Sequence, residues 1–379
     1  MIPVNEPLLN GREKELLIEC IDTGWISSDG PFVGRFEQNF ASYLGMKHGI
    51  AVCNGTAALE TALFAAGVAE GDEVIMPTFT IISCLVAAVR LGAVPVLVDA
   101  EPDTWGMDAT QIESRITART RAIMPVHMYG HPVDMDPVLA IARTHGFLVI
   151  EDAAEVHGAE YKGRKCGSLG DVSAWSFYAN KIVSTGEGGM VVTSDDRAAE
   201  RAASYRNLCF RPERRFYHTE LGYNFRMTNL QAALGVAQLE RIEEFVAIKR
   251  RLGQLYRQKL SGIQGIRFQV EQPWAKSVYW MYCIEIDEQL GFAADALRTA
   301  LAARGIGTRP FFLGLHEQPA AHDIGLFKGE RFPVAERIAR QGLYLPSGLT
   351  LTDSQVGEVA DAVRDVVGLL ARARATRAT

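Results

Sequence analysis

The sequence predicts an α/β protein: a mostly parallel central sheet with helices on both faces, followed by a smaller α+β C-terminal domain. Short β-branched apolar runs alternate with helical stretches, and these runs are apolar on both sides, as strands buried on both faces must be. Past residue 226 the alternation gives way to a long helical pattern. Length agrees, since 379 residues at roughly 150 per domain make two domains and 48% hydrophobic content is enough for a core.

Taken in order, the strand runs are HGIAVC (48–53), DEVIMP (72–77), VPVLVD (94–99), RAIMPVH (121–127), FLVIED (147–152), VSAWSF (172–177) and MVVTS (190–194). They place the large domain at residues 1–240. The stretch 226–260 reads as a long helix, with Leu230, Leu234, Ala237 and Leu239 near helical spacing, leading into a small domain at 241–379. The last element opens with a capping box at Thr352 and Gln355, and Val356, Val359, Val363, Val366 and Leu370 form one apolar face. The tail ARARATRAT (371–379) is expected to fray.

Composition excludes several functions. A net charge of −6 with mixed signs along the chain gives no basic field for a nucleic-acid backbone. The most apolar stretch, IISCLVAAV, is too short to span a bilayer, and the opening residues lack the order of a signal peptide, so no membrane partner and a cytoplasmic location are expected. The six cysteines show no CxxC pair, which favours free thiols. No His/Cys cluster has metal-ligand spacing, so no metal is expected.

In open parallel sheets, ligands collect beyond the carboxyl ends of the strands. One such end runs into a helix through Asn54, Gly55 and Thr56, which reads either as an ordinary N-cap or as a phosphate cradle of free N–H groups. A second ends in Glu151 and Asp152, whose side chains leave a strand on opposite sides, so only one faces a given ligand. Such an acid is a helix cap or the partner of a cation, and a protonated ring nitrogen would serve. The third delivers Ser176 and then Lys181, ahead of the glycine cluster GEGG (186–189), which would let the backbone approach a ligand and turn back. A lysine there is a solvated charge, a phosphate clamp, or an amine that bonds covalently to a carbonyl. Together these residues match what pyridoxal phosphate needs: a phosphate site, a partner for the pyridinium nitrogen, and a lysine amine.

The segments NGTAAL, PTFTIIS, PVHMYG, EDAAEVHGA, GSLGDVSAWSFYANKIVSTGEGGMVVT and GYNFRMTNLQAALGVAQLE carry a resemblance that extends over nearly the whole chain. It is to the nucleotide-sugar aminotransferases of the DegT/DnrJ/EryC1/StrS type, which have the pyridoxal phosphate fold type I, and most of all to their perosamine-forming members. The resemblance implies L-glutamate as amino donor and GDP-4-keto-6-deoxymannose as acceptor. It implies that Lys181 holds the cofactor and moves the proton, that Asp152 pairs with the ring nitrogen, and that Glu155 sits near the ring hydroxyl. Gly55, Thr56 and Ser176 would bind the phosphate, and Asn224 would reach the phosphate of the partner subunit in a homodimer with shared sites. On the substrate side it implies Ser27, Ser28, Arg309 and His316. Amination at C3, or of a UDP- or dTDP-linked sugar, is the sibling reading, and a non-catalytic ligand sensor is the reading from another class.

The chain departs from the family pattern in two places. Ile81 stands where the family has an aromatic that stacks on the cofactor ring, and NLCF (207–210) replaces a glycine-rich turn. Lys181 is retained where related dehydratases carry histidine, which favours amino transfer. His127 is expected to be a hydrogen-bonded loop residue, His157 a packing residue, and Trp280 and Met281 parts of the core.

Overall fold

In the computed structural model, which describes residues 1–210, 213–214 and 216–378, each of those apolar runs supplies a strand of one sheet. These are β1 His48–Val52, β2 Glu73–Pro77, β3 Val94–Val98, β4 Thr120–Ile123 and β5 Leu148–Asp152. After the short β6 Glu160–Tyr161 and β7 Arg164–Lys165 come β8 Val172–Ser176 and β9 Gly189–Thr193. The sheet order is β1-β9-β8-β5-β4-β2-β3. Every residue of β2, β8 and β9 is buried, the condition their uninterrupted apolar runs satisfy.

One strand runs against the rest. β9 lies antiparallel between β1 and β8, so Gly189 pairs with both Val52 and Ser176. The carboxyl ends of β1, β5 and β8 and the start of β9 therefore meet at one edge. The glycines of GEGG serve chain against chain: a Cβ on Gly189 would meet the Asn54 carbonyl oxygen at 2.3 Å and that of Trp175 at 2.9 Å. Gly186 takes the turn at φ +81°. The glycines expected to admit a ligand instead let the helix entry and the sheet edge close on each other.

Helix α1, Glu13–Thr23, and α2, Pro31–Tyr43, pack on a helix at Asn229–Leu239. Helix α3, Gly55–Ala66, packs on β8 and β9. The single long helix expected over 226–260 is two, Asn229–Leu239 and Ile242–Leu260, parted at Glu240 and Arg241. Leu230 and Leu234, expected on the packed face, are only half-buried. Small residues take that face instead, because Gly235 lies so close to Phe36 that a Cβ would meet the ring at 2.6 Å.

The C-terminal part builds an antiparallel sheet of β10 Ile266–Phe268, β12 Tyr282–Ile286, β13 Arg309–Pro310 and β14 Gly342–Leu345, in the order β10-β12-β14-β13. The two-residue β11, Ala275–Lys276, pairs with β6. A second core forms over the four-stranded sheet from Leu252, Tyr256, Ile284, Leu343, Val356, Val359 and Val363. The Thr352 and Gln355 capping box opens the last helix, with Gln355 donating to Thr352 Oγ1 at 3.3 Å and Thr352 to Gln355 Oε1 at 2.9 Å. That helix runs Asp353–Ala378, so the tail expected to fray continues it. The expected division at residue 240 is crossed twice. Ile2 bridges to Ile306 and sits in the second core, and Phe311, Leu315 and Tyr344 pack into the first.

Gly189→Ala is expected to destabilise the protein by about 1–3 kcal/mol, the range for overpacking a filled site. Urea unfolding checks it, with a lowered midpoint at unchanged slope; an unmoved midpoint would contradict the close approach described.

Candidate active site

The sheet edge opens into a cavity of about 580 Å³ whose lining includes Gly55, Thr56, Asp152, Glu155, Ser176 and Lys181. Its floor is the start of α3. Asn54, extended at φ −166°, caps the helix by accepting from Ala57 N at 2.9 Å, and its carbonyl takes Ala58 N at 3.0 Å. The N–H groups of Gly55 and Thr56 are left without intrahelical partners at the cavity wall. Gly55 is obligatory here, since a Cβ would lie 2.7 Å from the Ser176 Cβ. Glycine thus brings the positive end of the helix beside the Ser176 hydroxyl, an arrangement that favours an anion.

β5 divides its two acids as strand geometry requires. Glu151 turns away from the cavity and accepts from His127 Nε2 at 3.0 Å, Gly167 N at 2.7 Å, Leu169 N at 2.7 Å and Gly170 N at 2.6 Å. Burial works against its charge, but His127 and these backbone donors outweigh it and hold the carboxyl below its ordinary range. Asp152 faces the cavity, accepting from Ala154 N at 3.1 Å on Oδ1 and from the Cys84 thiol at 3.1 Å on Oδ2.

Lys181 stands on the loop between β8 and β9, which is pinned by Lys181 N donating to the Tyr178 carbonyl at 2.8 Å and Thr185 N to that of Phe177 at 2.8 Å. Its amine is 3.7 Å from Glu155 Oε1 and 3.9 Å from the centroid of the Trp280 ring. The Trp280 indole N–H bonds the Asn180 carbonyl at 2.8 Å, tying that ring to the residue before the lysine. Burial pushes the Lys181 ammonium below its ordinary value, with Glu155 and Asp152 opposing. Burial pushes the Glu155 carboxyl up to about 7, with Lys181 opposing. Both shifts bring the pair toward neutrality, and an uncharged amine is the form that attacks a carbonyl.

The model of the DegT/DnrJ/EryC1/StrS aminotransferase family matches residues 7–364. The chain belongs to this aminotransferase family. Among curated relatives, the GDP-perosamine synthase of Caulobacter vibrioides is 44% identical, covering 97% of this chain and 98% of that protein. The GDP-perosamine synthase of Escherichia coli O157:H7 is 39% identical over 96% of this chain and 98% of its own length. The crystal structure of the aminotransferase TlmJ from Streptoalloteichus hindustanus superposes with a TM-score of 0.91 at 32% identity, covering 98% of this chain and all of that one.

The family's cofactor is pyridoxal phosphate, and the residues present fit it. The α3 N-terminus with Ser176 suits its phosphate, the Asp152 carboxylate a protonated ring nitrogen, and the buried Lys181 amine its carbonyl. The cavity brings these side chains together from segments well separated in sequence, Gly55 lying 97 positions before Asp152 and 126 before Lys181. Ile81 lies in the lining, 44% exposed, and Phe79 is fully buried among Tyr129, Phe311 and Phe312.

Other expected residues lie outside the cavity of a single chain. His316 is 3% exposed, with Nδ1 2.7 Å from Thr78 Oγ1 and Nε2 3.3 Å from Glu336 Oε1. Ser27 and Ser28 are on a surface segment that Asn229 holds from below, its backbone N–H donating to the Ser27 carbonyl at 2.7 Å. Arg309 is exposed on β13, and Asn224 is exposed and bridged to Asn207. Leu208 and Cys209 of the NLCF turn adopt φ +59° and +50°, so non-glycine residues take left-handed conformations there. His157 packs among Phe40, Trp175 and Phe177.

Trp280 and Met281 are buried in the first core as expected, and Trp280 also lines the cavity, a second role that sequence reading did not assign. Tyr178, Asn180, Phe312, Tyr344 and Arg90 line it as well. The VYWMY segment carried the only sequence signal for Trp280, and an aromatic run reads equally as core.

Glu155 gives this site a pH dependence. A carboxyl raised from 4.5 to about 7 in the folded state contributes stability that is present below pH 4.5 and lost as pH rises through 7. Glu155→Gln should therefore gain on the parent protein between pH 4.5 and 7, by on the order of 3 kcal/mol at most. Urea midpoints at pH 5 and pH 8 measure it, and a parallel pH dependence in both proteins would count against the assignment.

Proposed function

We propose that this aminotransferase moves the amino group of L-glutamate to the C4 keto carbon of GDP-4-keto-6-deoxymannose, forming GDP-perosamine. The observation that carries the reading is the convergence of an anion-binding helix start, a strand-end carboxylate and a desolvated lysine in one cavity. The choice of sugar follows the relatives named GDP-perosamine synthase.

Bound pyridoxal phosphate supplies an electron sink next to the carbon that carries the migrating amine. Lys181 would hold the cofactor through its carbonyl and would carry the proton at the substrate carbon, roles that its lowered ammonium pKa favours. Asp152 would keep the ring nitrogen protonated, and its hydrogen bonds from Ala154 N and the Cys84 thiol fix the carboxylate for that task. Gly55, Thr56 and Ser176, together in the cavity lining, would hold the phosphate, and Glu155, in the same lining, would lie by the ring hydroxyl. Trp280 and Glu155 flank the lysine and keep bulk water from its amine.

The exposed positions of Asn224, Ser27 and Arg309, and the half-buried Ser28, suit a homodimer that completes each site from two subunits, Asn224 reaching the partner's phosphate. Exposed Trp25, Ile26 and Leu221 supply apolar surface for such an interface. All six cysteines are free, which suits a reducing cytoplasm. No helix among the described residues is long and apolar enough to cross a membrane.

The test is the visible spectrum of the purified protein, bleached with L-glutamate and then given GDP-4-keto-6-deoxymannose. Recovery of the original band is expected. If glutamate bleaches the band and only a UDP- or dTDP-linked keto sugar restores it, the acceptor assignment falls. Lys181→Ala should lose both the visible band and at least about 10³-fold in turnover, within the range that general acid–base and covalent roles jointly supply. Full turnover in that variant would rule out the assigned role.

A further inference from the structure

Lys249 is a charged residue without a charged partner. It lies on the helix Ile242–Leu260, 2% exposed, and among the described residues no carboxylate pairs with it. Burial alone pushes its ammonium down to about 7. A buried amine is costly unless its donors are used. Here two are used on main-chain carbonyls, that of Trp280 at 2.8 Å and that of Ser347 at a still shorter separation.

Those carbonyls have a definite place in the fold. β12 and β14 pair antiparallel from Tyr282 with Leu345 onward, so Trp280 and Ser347 face each other two positions beyond the last pair, past Met281 and Pro346. Lys249 closes the open end of that ladder, where the chain leaves the small sheet and enters the cavity with Trp280 and Tyr344. The entry is constrained from the other side too. Tyr279 adopts φ +46°, and Gly130 lies so close that a Cβ would meet Trp280 N at 2.5 Å. Val278 N donates to the Gly130 carbonyl at 2.9 Å. Gly130 packs against the Trp280 nitrogen and Lys249 bonds its carbonyl, and the ring it carries lies 3.9 Å from the Lys181 amine.

We propose that Lys249 is a positioning residue for the active site, fixing the main chain at Trp280 and through it the indole face against which Lys181 rests. The long helix then sets the environment of the reactive amine without touching it. The groups facing Lys181 are Glu155, Asp152 and Trp280. The aromatic face stabilises the ammonium, so releasing it lowers the pH at which the amine becomes reactive. This inference rests on the covalent role proposed for Lys181, and it is independent of the nucleotide and sugar.

The experiment follows covalent capture of pyridoxal phosphate by the apoprotein, as the rate of appearance of visible absorbance across pH 5.5–10. Lys181→Ala in the same assay shows whether capture depends on that amine. Lys249→Met is expected to shift the midpoint of the pH profile down by about half a unit, the size of a modest cation–π contribution. Trp280→Phe should shift it in the same direction. The double variant Lys249→Met/Trp280→Phe should match Trp280→Phe alone, because Lys249 acts only through that ring. An unmoved midpoint in Lys249→Met, or additive shifts in the double variant, would overturn the proposal and leave Lys249 a stabilising residue. If Lys249→Met does not fold, Trp280→Phe carries the test, and a wild-type midpoint in that variant would overturn the proposal by itself.

Discussion

The fold depends on how closely the end of β1 can approach the start of β9. A bare backbone at Gly189 lets the Asn54 carbonyl come within a distance that no side chain permits. That contact sets α3 against the sheet edge, and Gly55 repeats the device against Ser176. Two missing side chains thereby fix the helix start, the hydroxyl and the lysine loop in a single rigid corner. Catalytic geometry of this kind is best held by packed elements rather than by loops, and here the loop carrying Lys181 is short and bonded at both ends.

Electrostatics in the corner follow from burial more than from charge count. Glu151 and Asp152 are adjacent in sequence and nearly equally buried, yet their surroundings differ. Glu151 has donors for both oxygens and anchors the loop at Gly167–Gly170, while Asp152 retains cavity exposure and weak partners. One acid is spent on the fold and the other is left for a ligand. Lys181 and Glu155 form a second contrast, with each group's charge opposed by burial and supported by the other.

Much of this was legible in the sequence. The seven strands of the main sheet fall on the apolar runs because full burial leaves no polar side to confuse the pattern. The turn-forming residues after β1, β5 and β8 announced the cavity for the same reason: glycine, aspartate and lysine at those points have no place in a core. What stayed hidden depended on contacts distant in sequence. Nothing near MVVTS says that it runs backwards, since strand direction is decided by the connection and not by the run. Trp280 reads as core because an indole that packs on one face and lines a cavity on the other has the same local pattern. The bonds that hold His316, to Thr78 and Glu336, could not be read either, because those partners come from elsewhere in the chain. The helix break at Glu240 escaped notice because both halves keep their helical spacing across it.

The bridge from Ile2 to Ile306 bears on how the chain is made. Ile2 N donates to the Gly305 carbonyl at 2.8 Å, and Gly307 N donates to the Ile2 carbonyl at 2.8 Å. During synthesis at about 5–20 residues per second, the first residues emerge roughly 15–60 s before their partners exist. The large sheet, whose strands lie within residues 48–193, has its segments ready long before then. Closure of the second core is accordingly a late event, since it also draws on Val356, Val359 and Val363 of the last helix, and the opening segment waits for it while the large sheet is already in hand.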